Sequence, residues 1–135
     1  MEEVVLRLPA KLEYLQLATS LCRELCAKVH QRDTKDLVED VELCISEACT
    51  NAIKHGSPEG DASEIAIQFC MFPEKVVIRI ADYGLGFDLE SIPAPDLNTH
   101  PERGYGLYII RSKMDRVRYV RQKTENYLEM TKLFK

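Results

Sequence analysis

Three short stretches combine side chains and glycines at spacings that can do chemistry. In Glu47-Ala48-Cys49-Thr50-Asn51 a carboxylate and an amide stand four residues apart. On a helix that spacing places them on adjacent turns of one face. The carboxylate can accept a proton, and the amide oxygen is a hard ligand for Mg²⁺. In Asp82-Tyr83-Gly84-Leu85-Gly86-Phe87 an acidic residue closes an apolar run and two glycines follow at alternate positions. Such glycines let a backbone approach a ligand closely, and the Asp can accept a hydrogen bond from a base amino group. In Arg103-Gly104-Tyr105-Gly106-Leu107 two glycines precede an apolar run. At a helix N-terminus they expose free N–H groups, which together with the helix dipole favour phosphate. Each stretch also has a plain reading: a solvated i,i+4 pair, a capped turn and a short glycine turn.

The elements around these stretches can be read from periodicity. Val4 to Leu8 reads as a strand closed by Pro9. Leu12 to Val29 reads as a helix, with Leu15, Ala18, Leu21, Cys22, Leu25, Cys26 and Val29 at three- and four-residue steps. A second helix, capped by Asp33 or Thr34, runs to about Lys54 and is stopped by Gly56, Ser57, Pro58 and Gly60. Its Leu37, Val41, Cys44, Ile45, Ala48 and Ala52 share one face, which sets Glu47 and Asn51 at the edge of the core. Ile65, Ile67 and Phe69, then Val76, Ile78 and Ile80, alternate as the strands of a hairpin turning at Pro73-Glu74. The Gly- and Pro-rich segment from Tyr83 to Arg103 reads as a lid. Leu107 to Met114 is a short helix, and two strands around Tyr119 and Tyr127 to Phe134 pair through a turn near Glu125-Asn126. This order predicts an α/β two-layer sandwich: a mainly antiparallel sheet with helices on one face, formed by one domain over residues 1–135.

Composition narrows the function classes. A net charge of −4 argues against direct nucleic-acid binding. Arg111, Lys113, Arg116, Arg118, Arg121 and Lys123 cluster, which reads as a solvated surface. No apolar run is long enough to span a membrane, and Met1-Glu2-Glu3 lacks the features of a signal peptide, so a cytoplasmic location is expected. Five cysteines at apolar helix and strand positions read as reduced core thiols. Cys22 and Cys26, one turn apart, have no matching second pair to complete a metal site.

The order Glu47…Asn51, Asp82-x-Gly84-x-Gly86-Phe87, Gly104-x-Gly106-Leu107 resembles the three boxes of the GHKL ATPases, whose fold is the Bergerat sandwich. Ile45-Ser46-Glu47-Ala48-Cys49-Thr50-Asn51-Ala52, Gly106-Leu107-Tyr108 and Met130-Thr131-Lys132 resemble the RsbW-type anti-sigma factor serine kinases more closely still. The resemblance implies ATP and Mg²⁺ as cofactors. It makes Asn51 the Mg²⁺ ligand and Glu47 the base that activates the attacking hydroxyl. Asp82 would bond the adenine amino group, with Gly84 and Gly86 nearby and Thr131 in support. Gly104, Tyr105, Gly106 and Leu107 would form the phosphate end. Arg103 abuts Gly104, where this branch often leaves a small residue between. His55, one turn beyond Asn51, would line the pocket or sit as a satisfied boundary histidine. By resemblance the partners are a sigma factor and a STAS-type antagonist, with a homodimer as a further association. Two alternatives stay open: an ATP-binding regulatory module without transfer, and the catalytic domain of a split histidine kinase.

Overall fold

The computed structural model describes residues 1–29, 35–56, 64–82, 105–121 and 126–134. The backbone, but not the side chain, is described for Val29, His55, Gly56, Asp82, Tyr105 and Arg121. Five strands run in the spatial order β1-β2-β3-β5-β4, every neighbouring pair antiparallel. They are β1 (Glu2–Pro9), β2 (Glu64–Met71), β3 (Lys75–Asp82), β4 (Arg116–Arg121) and β5 (Asn126–Leu133). The helices are α1 (Leu15–Val29), α2 (Lys35–Asn51) and α3 (Tyr105–Lys113). Among the described residues the expected order of strands and helices, the β2–β3 hairpin and the β4–β5 pair all stand. The turn at Pro73-Glu74 is closed by the Phe72 N–H donating to the Lys75 carbonyl at 2.9 Å.

Alternation sorts each strand between two environments. Ile65, Ile67 and Phe69 of β2, Val76, Ile78 and Ile80 of β3, and Leu128 and Met130 of β5 are buried under the helices. They join Ala18, Cys22 and Cys26 of α1, Val41, Cys44, Ile45, Ala48 and Cys49 of α2, and Ile110 of α3 in one continuous core. The opposite face carries Gln68, Arg79, Glu129 and Arg118 in register across four strands. There Glu129 accepts from Arg79 Nε at 2.7 Å and from Arg118 Nε at 2.8 Å. The Arg118 part of the basic cluster is thus a paired surface.

Several boundaries differ from the sequence reading, with α3 starting at Tyr105 and β1 at Glu2, and two of them change the type of helix. The first helix begins as a 3-10 turn, Leu12–Tyr14. The second does not continue as α-helix to Lys54: it ends at Asn51 and passes into a π-helical turn, Ala52–Gly56. A π turn widens the backbone by one residue and commonly marks a functional position. This one begins directly after the amide assigned to the site.

Candidate functional site

The site is built where α2 meets α3. Val41, Cys44, Ile45, Ala48, Cys49 and Ala52 are all buried, which fixes the rotation of α2 and leaves Glu47 and Asn51 half-buried at the edge of the core. Burial pushes the Cys44 and Cys49 thiols up to about 12, so they remain neutral packing groups and poor nucleophiles. Thr50 Oγ1 donates to the Ser46 carbonyl one turn back at 2.7 Å, which occupies that hydroxyl within the helix.

Gly106 is the contact that joins the first motif to the third. A Cβ built on it would lie 3.0 Å from Glu47 Oε2 and 3.1 Å from Asn51 Nδ2. The absence of a side chain therefore lets the start of α3 abut both groups. Further along, Lys113 Nζ lies 3.6 Å from Asp40 Oδ1, so α3 runs antiparallel to α2. Its far end is tied to β5: Lys132 Nζ donates to the Lys113 carbonyl, and the Leu133 N–H donates to Asp115 Oδ2 at 2.7 Å. Arg23 fastens α1 to α2 through two bonds to Glu42, at 2.8 and 2.9 Å. Leu107 is buried in the core, where its side chain anchors the first turn of α3. Tyr105 opens the helix, with its side chain outside the description.

The second motif enters through the end of β3. Asp82 is the last residue of that strand and pairs in register with Asn126, the first residue of β5. Asn126 is one of two buried polar side chains among the described residues, the other being Glu129. The sequence reading sets Asn126 at a turn, whereas the structure buries it at the head of β5. That burial follows from register, which a single strand does not reveal. Thr131 is instead paired with Val77, five register positions from Asn126. It alternates with Glu129, on the sheet face away from the helices. The supporting role expected of its hydroxyl beside Asp82 does not fit that position. Gly84, Gly86, Arg103, Gly104 and the lid lie outside the described residues, and His55 is described only as part of the π turn.

No cluster of three or more His, Cys, Asp or Glu that could hold a metal occurs among the described residues. The expected cation fits another arrangement. Mg²⁺ is commonly bound by one or two protein oxygens together with substrate phosphates and water. The half-buried Asn51 amide, facing the start of α3, is such an oxygen donor. No helix among the described residues is long and apolar enough to cross a membrane.

Comparison with known proteins agrees with this geometry. A family model described as the histidine kinase-like ATPase domain matches residues 8–132. A serine-protein kinase RsbW of Bacillus cereus (strain AH187) is 36% identical over 124 residues, covering 84% of this chain and 74% of the relative. The serine-protein kinase RsbW of Bacillus thuringiensis subsp. konkukian (strain 97-27) is 35% identical over the same shares. Among solved structures, the RsbU and RsbW domains of a Mycobacterium tuberculosis protein superpose with a TM-score of 0.69 at 17% identity, covering 98% of this chain. That match spans 33% of the solved chain, and at this identity it speaks for the fold alone.

Proposed function

The chain belongs to the histidine kinase-like ATPase domain family and, within it, to the RsbW serine-protein kinases, and from that premise we propose that it transfers the γ-phosphate of ATP to a serine of a partner protein. In this reading it acts in the cytoplasm as an anti-sigma factor in a partner-switching pathway. It holds a sigma factor, and its phosphoacceptor is a STAS-type antagonist of that hold. The observation that carries the reading is the convergence of Glu47 and Asn51 on Gly106. It unites a proton acceptor, an oxygen ligand and a helix N-terminus at one point, the parts that phosphoryl transfer requires.

The chain's own groups divide the work as follows. Glu47 accepts the proton of the attacking serine hydroxyl. The N-terminus of α3, approached closely because position 106 has no side chain, receives phosphate oxygens. Asn51 offers its amide oxygen to Mg²⁺, which when bound supplies charge neutralisation for the phosphates. The core beneath α2 and the ties at the far end of α3 hold these groups in place.

The test is phosphate transfer from labelled ATP to a purified STAS-type protein, with the product challenged by acid. Acid-stable label on serine supports the kinase reading. Tight ATP binding without transfer to any such protein would replace it with a regulatory ATP-binding module. Acid-labile label would point to a histidine kinase.

A further inference from the structure

Alternation sets Lys132 on the helix-covered face of the sheet. It stands two positions after Met130 on β5 and pairs in register with Val76, and both of those side chains are fully buried. A half-buried ammonium on such a face needs a hydrogen-bond partner. Lys132 finds one at the end of α3, where it donates to the Lys113 carbonyl. The charges of Lys132 and Lys113 both reach the buried Cys44 thiol of α2, which sets the ammonium beside the seam between α2 and α3. The neighbouring ties differ in kind. The Asp115 N–H donates to the Thr131 carbonyl at 2.9 Å, and the Leu133 N–H donates to Asp115 Oδ2 at 2.7 Å. Both hold Asp115, which lies past the end of the helix. Of Thr131, Lys132 and Leu133, Lys132 is the residue whose bond reaches α3 itself, at a last-turn carbonyl of the kind that lacks a partner within its own helix. Its charge also complements the negative end of the helix dipole.

We propose that Lys132 is a positioning residue for phosphoryl transfer, setting through α3 the distance at which Gly106 meets Glu47 and Asn51. This rests on the kinase reading above and deepens it. Gly106 lies about two turns, roughly 10 Å, before Lys113 on the same helix. A helix this short moves as a rod, so an axial shift at the Lys113 end appears at Gly106. There is little slack there to absorb it: a Cβ at position 106 would stand 3.0 Å from Glu47 Oε2 and 3.1 Å from Asn51 Nδ2. Lys132 therefore acts on the site from the opposite end of α3 without touching a reacting group.

The experiment measures single-turnover transfer from labelled ATP to a purified STAS-type protein, scaled to the ATP-binding sites counted by calorimetry. Lys132→Met keeps the apolar stem and removes the donor. It should transfer about tenfold more slowly per binding site, while ATP affinity changes by no more than about threefold, because the loss falls on placement in the transition state. Lys132→Arg returns a donor and should recover most of the rate. Gly106→Ala disturbs the same contact, so the two losses should overlap. The double variant Gly106→Ala/Lys132→Met should then lie close to the slower single variant, well short of the roughly hundredfold loss that independent sites would give. Lys132→Gln, one bond too short to reach the carbonyl, serves if the Met variant does not fold. A wild-type rate per binding site in folded Lys132→Met or Lys132→Gln, with only stability lowered, would overturn the proposal and leave Lys132 a structural cap. Losses that multiply in the double variant would overturn it too. Wild type that binds ATP but transfers to no STAS-type protein would instead overturn the kinase reading itself.

Discussion

Glu129 lies on β5 between Arg79 of β3 and Arg118 of β4, and each arginine donates a short hydrogen bond to it. Glu47 lies on α2 at the edge of the core, facing Gly106 and Asn51, and among the described residues no cation pairs with it. Burial alone would raise the Glu129 carboxyl, but the bonds from Arg118 and Arg79 outweigh it and hold that group below the usual carboxylate range. The same side chain thus meets two environments. Where both oxygens are committed to guanidinium groups, a carboxylate is structural and a poor base. At Glu47 the carboxylate faces a glycine backbone and a neutral amide, and among the described residues no guanidinium claims its oxygens.

The largest expected effect breaks this comparison at Glu47. If it is the base, Glu47→Gln should slow transfer by about 10²–10⁴-fold. ATP affinity should stay within about twofold, because the loss falls on the transition state. Single-turnover transfer alongside calorimetry separates the two. A variant as fast as wild type would return Glu47 to the status of a surface carboxylate. Asn51→Ala should remove the Mg²⁺ dependence of nucleotide binding and transfer with it, read by titrating ATP with and without the metal.

The second break is at Glu129. Glu129→Gln should leave transfer unchanged and lower stability by about 1–3 kcal/mol, the usual worth of hydrogen bonds to charged groups. Denaturant unfolding reads it. The sign of the pH dependence follows from the depressed carboxyl. Its contribution is present above the unfolded value of about 4.3 and is lost as pH falls through the lower folded value. Wild type should therefore lose stability steeply in acid below about pH 4, and the Gln variant less steeply. Parallel acid limbs would mean that the two arginines do not bias this group.

The same two carboxylates show what the sequence could convey. Glu47 was legible because its helix carries a period: Val41, Cys44, Ile45, Ala48 and Ala52 define the buried stripe, and Glu47 falls beside it. Glu129 was not, because a charged residue in an alternating strand reads as solvated, and its burial comes from arginines on strands β3 and β4. Thr131 and Asn126 fail for a related reason. Met130-Thr131-Lys132 marks a strand correctly, but which end of that strand meets Asp82 depends on register, a property of the pair. The end of α2 at Asn51 was missed too. Helical periodicity continues through Ala52 while the backbone widens into a π turn, which leaves the apolar pattern almost unchanged.

The smallest expected effect sharpens the comparison most, because it leaves both carboxylates in place. Gly106→Ala adds one methyl group at 3.0 Å from Glu47 Oε2 and 3.1 Å from Asn51 Nδ2, tighter than ordinary contact, so these side chains must give by a few tenths of an ångström. Within α3 the change favours the fold, since Ala is better than Gly in a helix by about 0.5–1 kcal/mol. The two terms oppose each other, and unfolding should show a stability close to wild type. Catalysis has no such compensation: if Glu47 is the base and Asn51 the metal ligand, their joint displacement should lower transfer about tenfold, as small misplacements of reacting groups do. Glu129 stands on the far face of the sheet, so its acid limb should not move. A Gly106→Ala variant that transfers at the wild-type rate would mean that Glu47 and Asn51 have slack at α3. The close approach would then be a packing feature and not a condition of the chemistry. A variant that loses rate while keeping stability and acid response would tie the rate to the geometry that Glu47 and Asn51 share at the start of α3.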